Sequence, residues 1–233
     1  MGIKYTRDEI LRKCKEASEN MALLYNADFV NYTGITKDTK ELVSKVVSEY
    51  LCENIELFDN IPCITRKTSY KTESHLGKIN EQSNREENTA KRLFLDNQER
   101  GPYKYIGTIL DYQTPLKDVV SDEVGKIDLL SVNGNIVYVL ELKQMDSKET
   151  MLRCILESYT YLKTVDSQKL IADFELSRID SIKASPLVFK QGNQWNEMND
   201  NNHNTYLKKL SAMLDVVPYY IEVSEDGFII SDN

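Results

Sequence analysis

Acidic residues on two adjacent predicted strands are the feature of this sequence that could do chemistry. The stretch VGKIDLLSVNGNIVYVLELKQ, residues 124–144, consists of two apolar runs on either side of an Asn-Gly pair. Asp128 lies in the first run, and Glu141 and Lys143 lie in the second. Burying a charged group is costly unless the group is paired or coordinates a metal, so charges at these positions need a chemical reason.

Strand periodicity places the three charged side chains on one face of the predicted hairpin. Side chains alternate between the two faces of a strand, so Glu141 and Lys143 share a face. An Asn-Gly pair favours a two-residue type I′ turn. With that pair at the centre of the turn, Asp128 faces Val139, and Glu141 is its diagonal neighbour, roughly 7–8 Å away at the backbone. A one-residue slip would turn Asp128 to the opposite face.

Two carboxylates that converge on one face predict a site for a divalent cation. Like charges repel at short distance unless a cation lies between them, and Mg²⁺ prefers oxygen ligands while keeping several waters. Asp128 and Glu141 would hold Mg²⁺, with Mn²⁺ as a substitute, and the ion would polarise a phosphate and acidify a water. Lys143 would orient that water or stabilise negative charge. The alternative is a solvated strand end with an ion pair of little energetic value.

The elements that must position this hairpin predict an α/β domain. Helical spacing indicates a helix over SNREENTAKRLFLDN, with Ser83 or Asn84 as its N-cap, and YKYIGTILDYQTPL indicates a strand. After the hairpin, SKETMLRCILESYTYLKTV predicts a helix capped by Asp146 or Ser147.

The remainder of the chain continues the alternation of helices and strands. A short helix, a strand, an Asn-rich loop that contains Trp195, another helix and one or two closing strands follow; they are DSQKLIADFEL, IKASPLVFKQ, KQGNQWNEMNDNNHN, HNTYLKKLSAMLDV and PYYIEVSEDGFII. This order predicts a mixed β-sheet core flanked by helices.

The N-terminal part predicts a helical extension of that core. Residues 1–65 contain two amphipathic helices that we expect to pack as a hairpin, the first beginning at Thr6. Residues 66–82 are polar and lack apolar spacing, which indicates a connector. Residues 83–233 then form the α/β domain.

Composition excludes several classes of function. The 233 residues are 41% hydrophobic and 28% charged, and the net charge of −8 argues against a surface coated with basic groups for non-specific nucleic-acid binding. The 4 cysteines and 2 histidines lack the spacing of a zinc site and predict free thiols in a reducing cytoplasm. Without a run of membrane-spanning or signal-peptide character, we expect a cytoplasmic protein that does not engage a membrane.

At Asp128, Glu141 and Lys143 the sequence resembles the PD-(D/E)xK nuclease superfamily. GKIDLL and VLELK are similar to the second-strand Asp and the third-strand (D/E)xK of that superfamily, and the resemblance covers Ser83 to Lys190. Ile127 precedes Asp128 where the motif has Pro, a residue that many members lack. The resemblance implies a restriction-endonuclease-like fold, Mg²⁺-dependent cleavage of nucleic acid with DNA favoured, and a homodimer as one arrangement.

Further site residues follow from the same resemblance. The superfamily often places a Glu on the helix before the first core strand, which here is Glu86, with Glu87 nearly as good. Glu157 and Tyr161 are similar to the (Q/E)xxxY motif of the RecB-type branch, whose residues contact substrate or bracing groups. Gln144 would touch phosphate. The alternatives are helix-dipole stabilisation for the glutamates, a core margin for Tyr161, and a solvated strand end for Gln144.

Two other functions remain open on sequence alone. A catalytically inactive member would keep the fold as a binding or scaffolding module, which the net acidity favours. An enzyme acting on a small phosphate compound would need a closed pocket. A nuclease should instead show a basic rim near Glu141, for which the sequence offers Lys126, Lys148 and Arg153.

Overall fold

A six-stranded mixed sheet is the centre of the fold. The computed structural model describes residues 4–72, 85–118, 125–200, 205–225 and 227–232. The strands, in the same order in the chain and in the sheet, are β1 (Thr108–Pro115), β2 (Lys126–Asn133), β3 (Ile136–Lys143), β4 (Ser181–Phe189), β5 (Tyr219–Ser224) and β6 (Gly227–Ser231). The first three strands are antiparallel, β3 to β5 are parallel, and β6 returns antiparallel to β5. The predicted α/β class is confirmed, and the closing segment forms two strands.

Helices occupy the segments before and between these strands. They are α1 (Arg7–Ala17), α2 (Val43–Glu53), α3 (Glu86–Arg100), α4 (Met151–Thr164), α5 (Ser167–Asp173), α6 (Asn193–Asn199) and α7 (Thr205–Met213), with 3₁₀ segments at Ser18–Asn26 and Ile55–Asn60. The expected start of α1 is confirmed, because Thr6 and Glu9 form a reciprocal capping box. Among the described residues, no helix combines the length and the apolar character needed to cross a lipid bilayer.

Three local predictions differ from the structure or fall outside it. The N-cap of α4 is Thr150, whose hydroxyl accepts the Arg153 N–H at 3.2 Å, and not Asp146 or Ser147. Thr150 also donates to the Val30 carbonyl at 2.8 Å, a contact that the local sequence pattern does not contain. Trp195 lies in α6, where a loop was predicted. The predicted caps of α3, Ser83 and Asn84, lie outside the described residues, and Arg85 occupies the N-cap position.

The two central residues of the turn between β2 and β3 lie one position later in the chain than predicted. Asn133 pairs with Ile136, so the two turn residues are Gly134 and Asn135. Gly134 has a φ of +60° at the first central position, as in a type II′ turn. The predicted pairing of Asp128 with Val139 is therefore wrong. Leu129 pairs with Leu140, and the next position along each strand is Asp128 on β2 and Glu141 on β3.

Two apolar cores lie on the two faces of the sheet. One is formed around α3 and includes Leu93, Leu140 and Leu142. The other, larger core lies under α4 and joins residues of the sheet, such as Val139, to residues of the N-terminal helices, such as Leu51. The division into 1–65, 66–82 and 83–233 stays a prediction, but both of its larger parts contribute to this one core.

Candidate active site

Three carboxylates meet at the end of β2 and β3. Oxygens of Glu86, Asp128 and Glu141 all lie within 4.8 Å of one another. Asp128 and Glu141 are buried, at 7% and 3% exposure, because they point into the face that α4 covers. Glu86 comes from the first turn of α3 and is partly open to solvent. The structure thus brings together three of the predicted site residues, two from strands and one from a helix.

Two hydrogen bonds fix the orientation of the Asp128 carboxylate. Gln113 on β1 donates its side-chain amide to Asp128 Oδ1 at 2.7 Å, and the Leu142 backbone N–H donates to Oδ2 at 2.9 Å. Gln113 adopts a φ of +54°, an uncommon conformation for a residue with a Cβ inside a strand. No local sequence pattern marks Gln113, because only the observed register of β1 against β2 places it opposite Asp128.

Lys143 is surrounded by carboxylates. Its ammonium lies 2.6 Å from Glu141, 3.1 Å from Glu149, 3.4 Å from Glu157 and 3.7 Å from Glu86. The side chain is 4% exposed, so these contacts are poorly screened by solvent. Lys143 therefore balances part of a local excess of negative charge and is held with its ammonium against Glu141.

Helix α4, together with Glu149 just before it, supplies a second layer of charged groups behind Lys143. Arg153 approaches Glu149 at 3.2 Å and Glu157 at 3.6 Å, and Tyr161 donates to Glu157 at 3.0 Å. Glu149 was missed in the sequence, although Glu149, Arg153 and Glu157 follow one another at intervals of four residues. A Cβ added at Gly125 would lie 2.3 Å from the Tyr161 hydroxyl, so the chain entering β2 packs directly on this tyrosine.

The electrostatic consequence of this arrangement is a set of carboxyl groups that hold protons strongly. Burial raises the pKa of Asp128 to about 7, against the opposing influence of Lys143. Burial and the charge of Asp128 raise the pKa of Glu141 well above its ordinary value, and burial also raises the pKa of Glu86. Burial by itself would lower the pKa of Lys143, but Glu141 and the other carboxylates outweigh it and raise that pKa. A proton and a divalent cation would therefore compete for the same oxygens.

The three clustered carboxylates fit a hard divalent cation. They offer only oxygen ligands, and two of them are buried where an unbalanced negative charge is costly. Opposite oxygens of a Mg²⁺ octahedron lie about 4.2 Å apart, twice the usual Mg²⁺–oxygen distance. The 4.8 Å limit on the oxygen separations is slightly longer than that distance. Glu86 is partly exposed at a helix end, so a small movement of its side chain can bring its oxygen into range.

The other predicted site residues take different positions. Glu87 is exposed and is not a member of the cluster formed by Glu86. Glu157 and Tyr161 were predicted to contact substrate or bracing groups beside the site; Glu157 contacts Lys143, and Tyr161 donates a hydrogen bond to Glu157. Gln144 accepts a hydrogen bond from Thr89 at 3.3 Å and lines a cavity between α3 and the sheet.

Arg153 does not contribute to the predicted basic rim, because it pairs with neighbouring acids. Its guanidinium faces Glu149 and Glu157, so it compensates these two acids instead of presenting positive charge outward. Lys126 and Lys148 are exposed, and Lys148 lines a different cavity, next to α6. Attraction of a polyanion to this site would therefore depend on a bound cation more than on basic side chains.

Comparison of the chain with models of protein families, with curated proteins and with solved structures found no match.

Proposed function

We propose that this protein is a metal-dependent nuclease of the PD-(D/E)xK type, hydrolysing phosphodiester bonds with DNA as the favoured substrate. The observation that carries this proposal is the convergence of Glu86, Asp128 and Glu141 beside the ammonium of Lys143. Asp128 and Glu141 lie on adjacent strands, Glu86 lies at the start of α3, and the lysine is two residues beyond Glu141 on the same strand face. This is the arrangement that the Asp and ExK motifs predict for such a nuclease.

The order of elements supports a restriction-endonuclease-like core. Helix α3 precedes β1, β2 and β3, and α4 connects β3 to the parallel strand β4. We propose that these elements form the conserved scaffold of that fold. The N-terminal helices and β5 and β6 would then extend it.

Each residue of the cluster has a role that follows from its contacts. Asp128 and Glu141 would hold Mg²⁺ or Mn²⁺, and Glu86 would complete the ligand set. Once bound, the cation would polarise the phosphate and acidify a water. Lys143 presents an ammonium beside Glu141, where it can orient the attacking water or stabilise negative charge on the phosphate. Glu157 and Tyr161 act as positioning residues, since Glu157 contacts Lys143 and Tyr161 donates a hydrogen bond to Glu157.

A second candidate function is a binding module without catalysis. The observation that favours it is the excess of carboxylates: Glu149 and Glu157 add to the three clustered acids, while only Lys143 and Arg153 oppose them within ion-pair distance in the described residues. Such a module would bind a cation or a basic partner in place of nucleic acid.

Cleavage assays combined with metal titration distinguish the two functions. The protein is incubated with linear and circular DNA in Mg²⁺ or Mn²⁺, and Mn²⁺ binding is measured by calorimetry. We expect metal-dependent cutting that falls by at least about 100-fold in Asp128→Asn and Glu141→Gln. Glu86→Gln should weaken both cutting and metal binding, whereas Glu87→Gln, one residue away and exposed, is the matched control. Metal binding without cutting of any DNA or RNA would favour the binding module.

A further inference from the structure

A cavity lies directly beside the acidic cluster, on the other side of the end of β3. It has a volume of about 420 Å³, which falls within the range of small-molecule sites. Thr89 and Gln144 form its wall toward the cluster. Thr89 is three residues beyond Glu86 on α3, a rise of about 4.5 Å, and Gln144 follows Lys143 immediately. The cavity and the carboxylates are therefore neighbours across the end of β3.

The outer part of the cavity is apolar and open to solvent. Met145 and Val223 are 49% and 69% exposed, and they are two of the few large apolar residues that are exposed in the described part of the chain. Phe228 and the buried Phe189 line the cavity with them. Clustered exposed apolar groups next to a polar site are typical of a ligand surface. These side chains favour a ligand with a flat, apolar face.

The polar lining of the cavity does not favour a phosphate. Arg92 and Asp146 contribute one positive and one negative side chain, so their formal charges cancel. The Gln144 amide has its oxygen bonded to Thr89, and its nitrogen has no hydrogen-bond partner among the residues that the structure describes. These groups match an uncharged planar ligand that carries hydrogen-bond donors and acceptors at its edge. A nucleobase has this chemistry.

We propose that this cavity is a subsite for one unpaired nucleobase of the strand being cut. This inference rests on the proposed nuclease function and narrows its substrate to single-stranded or locally frayed nucleic acid. In a duplex the faces of the bases are stacked on one another, so apolar side chains can contact a base face only after it leaves the stack. The phosphate lies at the carboxylates and the base lies against Val223 and Phe228.

Binding of labelled DNA to two matched variants tests the subsite. The probes are a short single-stranded DNA and the corresponding blunt duplex, in buffer with Ca²⁺, followed by fluorescence anisotropy. Val223→Asp places a charge in the cavity. Ile229→Asp places the same charge on the adjacent strand at a residue that is 51% exposed and outside the cavity lining. Because both positions are exposed, both variants should fold, which circular dichroism verifies.

We expect Val223→Asp to weaken single-strand binding about tenfold and Ile229→Asp to stay within about twofold of the wild-type protein, with Mn²⁺ binding unchanged in both variants. The wild-type protein should bind the duplex at least about tenfold more weakly than the single strand. Equal effects of the two substitutions, equally tight duplex binding, or no binding of either DNA would each overturn the subsite.

Cleavage measured in parallel separates this inference from the proposed function. Metal-dependent cutting that Val223→Asp leaves unchanged would overturn the subsite and leave the nuclease standing. Conversely, loss of single-strand binding only in Val223→Asp, without metal-dependent cutting by the wild-type protein, would support the subsite and overturn the nuclease.

Discussion

At the scale of single residues, the charge balance of the site depends on Lys143. Four carboxylates lie within 3.7 Å of its ammonium, and Arg153 compensates only two of them. A buried ion pair contributes little net stability when intact, but removal of one partner leaves the other charge unpaired and is strongly destabilising. Loss of Lys143 should therefore affect stability as well as any chemistry.

We expect Lys143→Met to lower the free energy of unfolding by about 3–5 kcal/mol at neutral pH, because the buried acids lose their cation. Mn²⁺ should restore part of this loss by taking over the balancing charge. Urea unfolding with and without Mn²⁺ measures both effects. Lys126→Met, at an exposed position on β2, is the control and should change stability by less than about 0.5 kcal/mol. Equal stability of the two variants would show that the Lys143 contacts carry no net energy.

At the scale of elements, β1 holds an unusual backbone conformation next to the site. The pairing of β1 with β2 shifts between Ile109 and Asp111, and Gln113 then takes a positive φ. This conformation costs a residue with a Cβ about 1–2 kcal/mol. The strained backbone at Gln113 accompanies the hydrogen bond that its side chain donates to Asp128.

Comparison of Gln113→Gly with Gln113→Ala isolates the backbone contribution, since both variants lose the amide that contacts Asp128. The glycine variant should be more stable by about 1 kcal/mol, because only glycine adopts a positive φ without a steric penalty. Chemical denaturation measures the difference. Cleavage and Mn²⁺ affinity should fall to a similar degree in both variants. An alanine variant as stable as the glycine variant would show that the backbone is not strained here.

Glu197 links two helices and makes the stability of this contact depend on pH. Its carboxylate accepts the Met151 N–H at the start of α4 at 2.7 Å, and burial raises the pKa of Glu197 to about 7. The folded protein thus holds this proton more tightly than the unfolded chain does. The stabilisation is complete below the ordinary pKa of about 4.5 and is lost as the pH rises toward 7.

Glu197→Gln keeps the hydrogen-bond acceptor and cannot ionise. We expect the variant and the wild-type protein to melt alike near pH 4.5 and the variant to be the more stable of the two at pH 8. Thermal melts across this pH range measure the difference, in which the other titrating groups largely cancel. Glu99→Gln, at an exposed position, should show no such divergence. A wild-type protein that is more stable than Glu197→Gln at pH 8 would contradict the assigned direction.

At the scale of the whole molecule, the N-terminal helices and the sheet share one core. Phe58 is 2% exposed and packs edge-on against Tyr159 of α4, with ring centroids 5.3 Å apart. Tyr25 makes a similar contact with Tyr161, at 5.9 Å. Just beyond the N-terminal lobe (residues 1–65), the chain is anchored at Tyr70, which is fully buried. The aromatic residues of the lobe therefore support the helix that carries Glu157.

We expect Phe58→Ala to lower the free energy of unfolding of the whole chain by about 3–5 kcal/mol, as for other buried aromatic residues. Unfolding should remain a single transition. The single Trp195 lies in α6, outside the lobe, so its fluorescence reports on the remainder of the molecule. Fluorescence and circular dichroism should shift together. An unchanged fluorescence midpoint beside an altered circular dichroism transition would show that the lobe unfolds independently.

Patterns of a few neighbouring residues are enough to predict the local features of this protein. The alternation of apolar and charged residues along β3 placed Glu141 and Lys143 on one face, and Thr6 marked the start of α1. These predictions succeed because strand and helix periodicity act over a few residues. Helical spacing favoured Glu86 only slightly over Glu87, and it is the fold that places Glu86 in the cluster.

Which distant residues meet depends on long-range contacts of the folded chain. The turn centred on Gly134 and Asn135 set the register of β2 and β3, and the register of β1 placed Gln113 against Asp128. The start of α4 at Thr150 depends on a contact with Val30, 120 residues away. Burial, and with it the raised pKa of Asp128, exists only once α4 covers the strand face. Each of these properties depends on the sum of long-range contacts, which local sequence patterns do not contain.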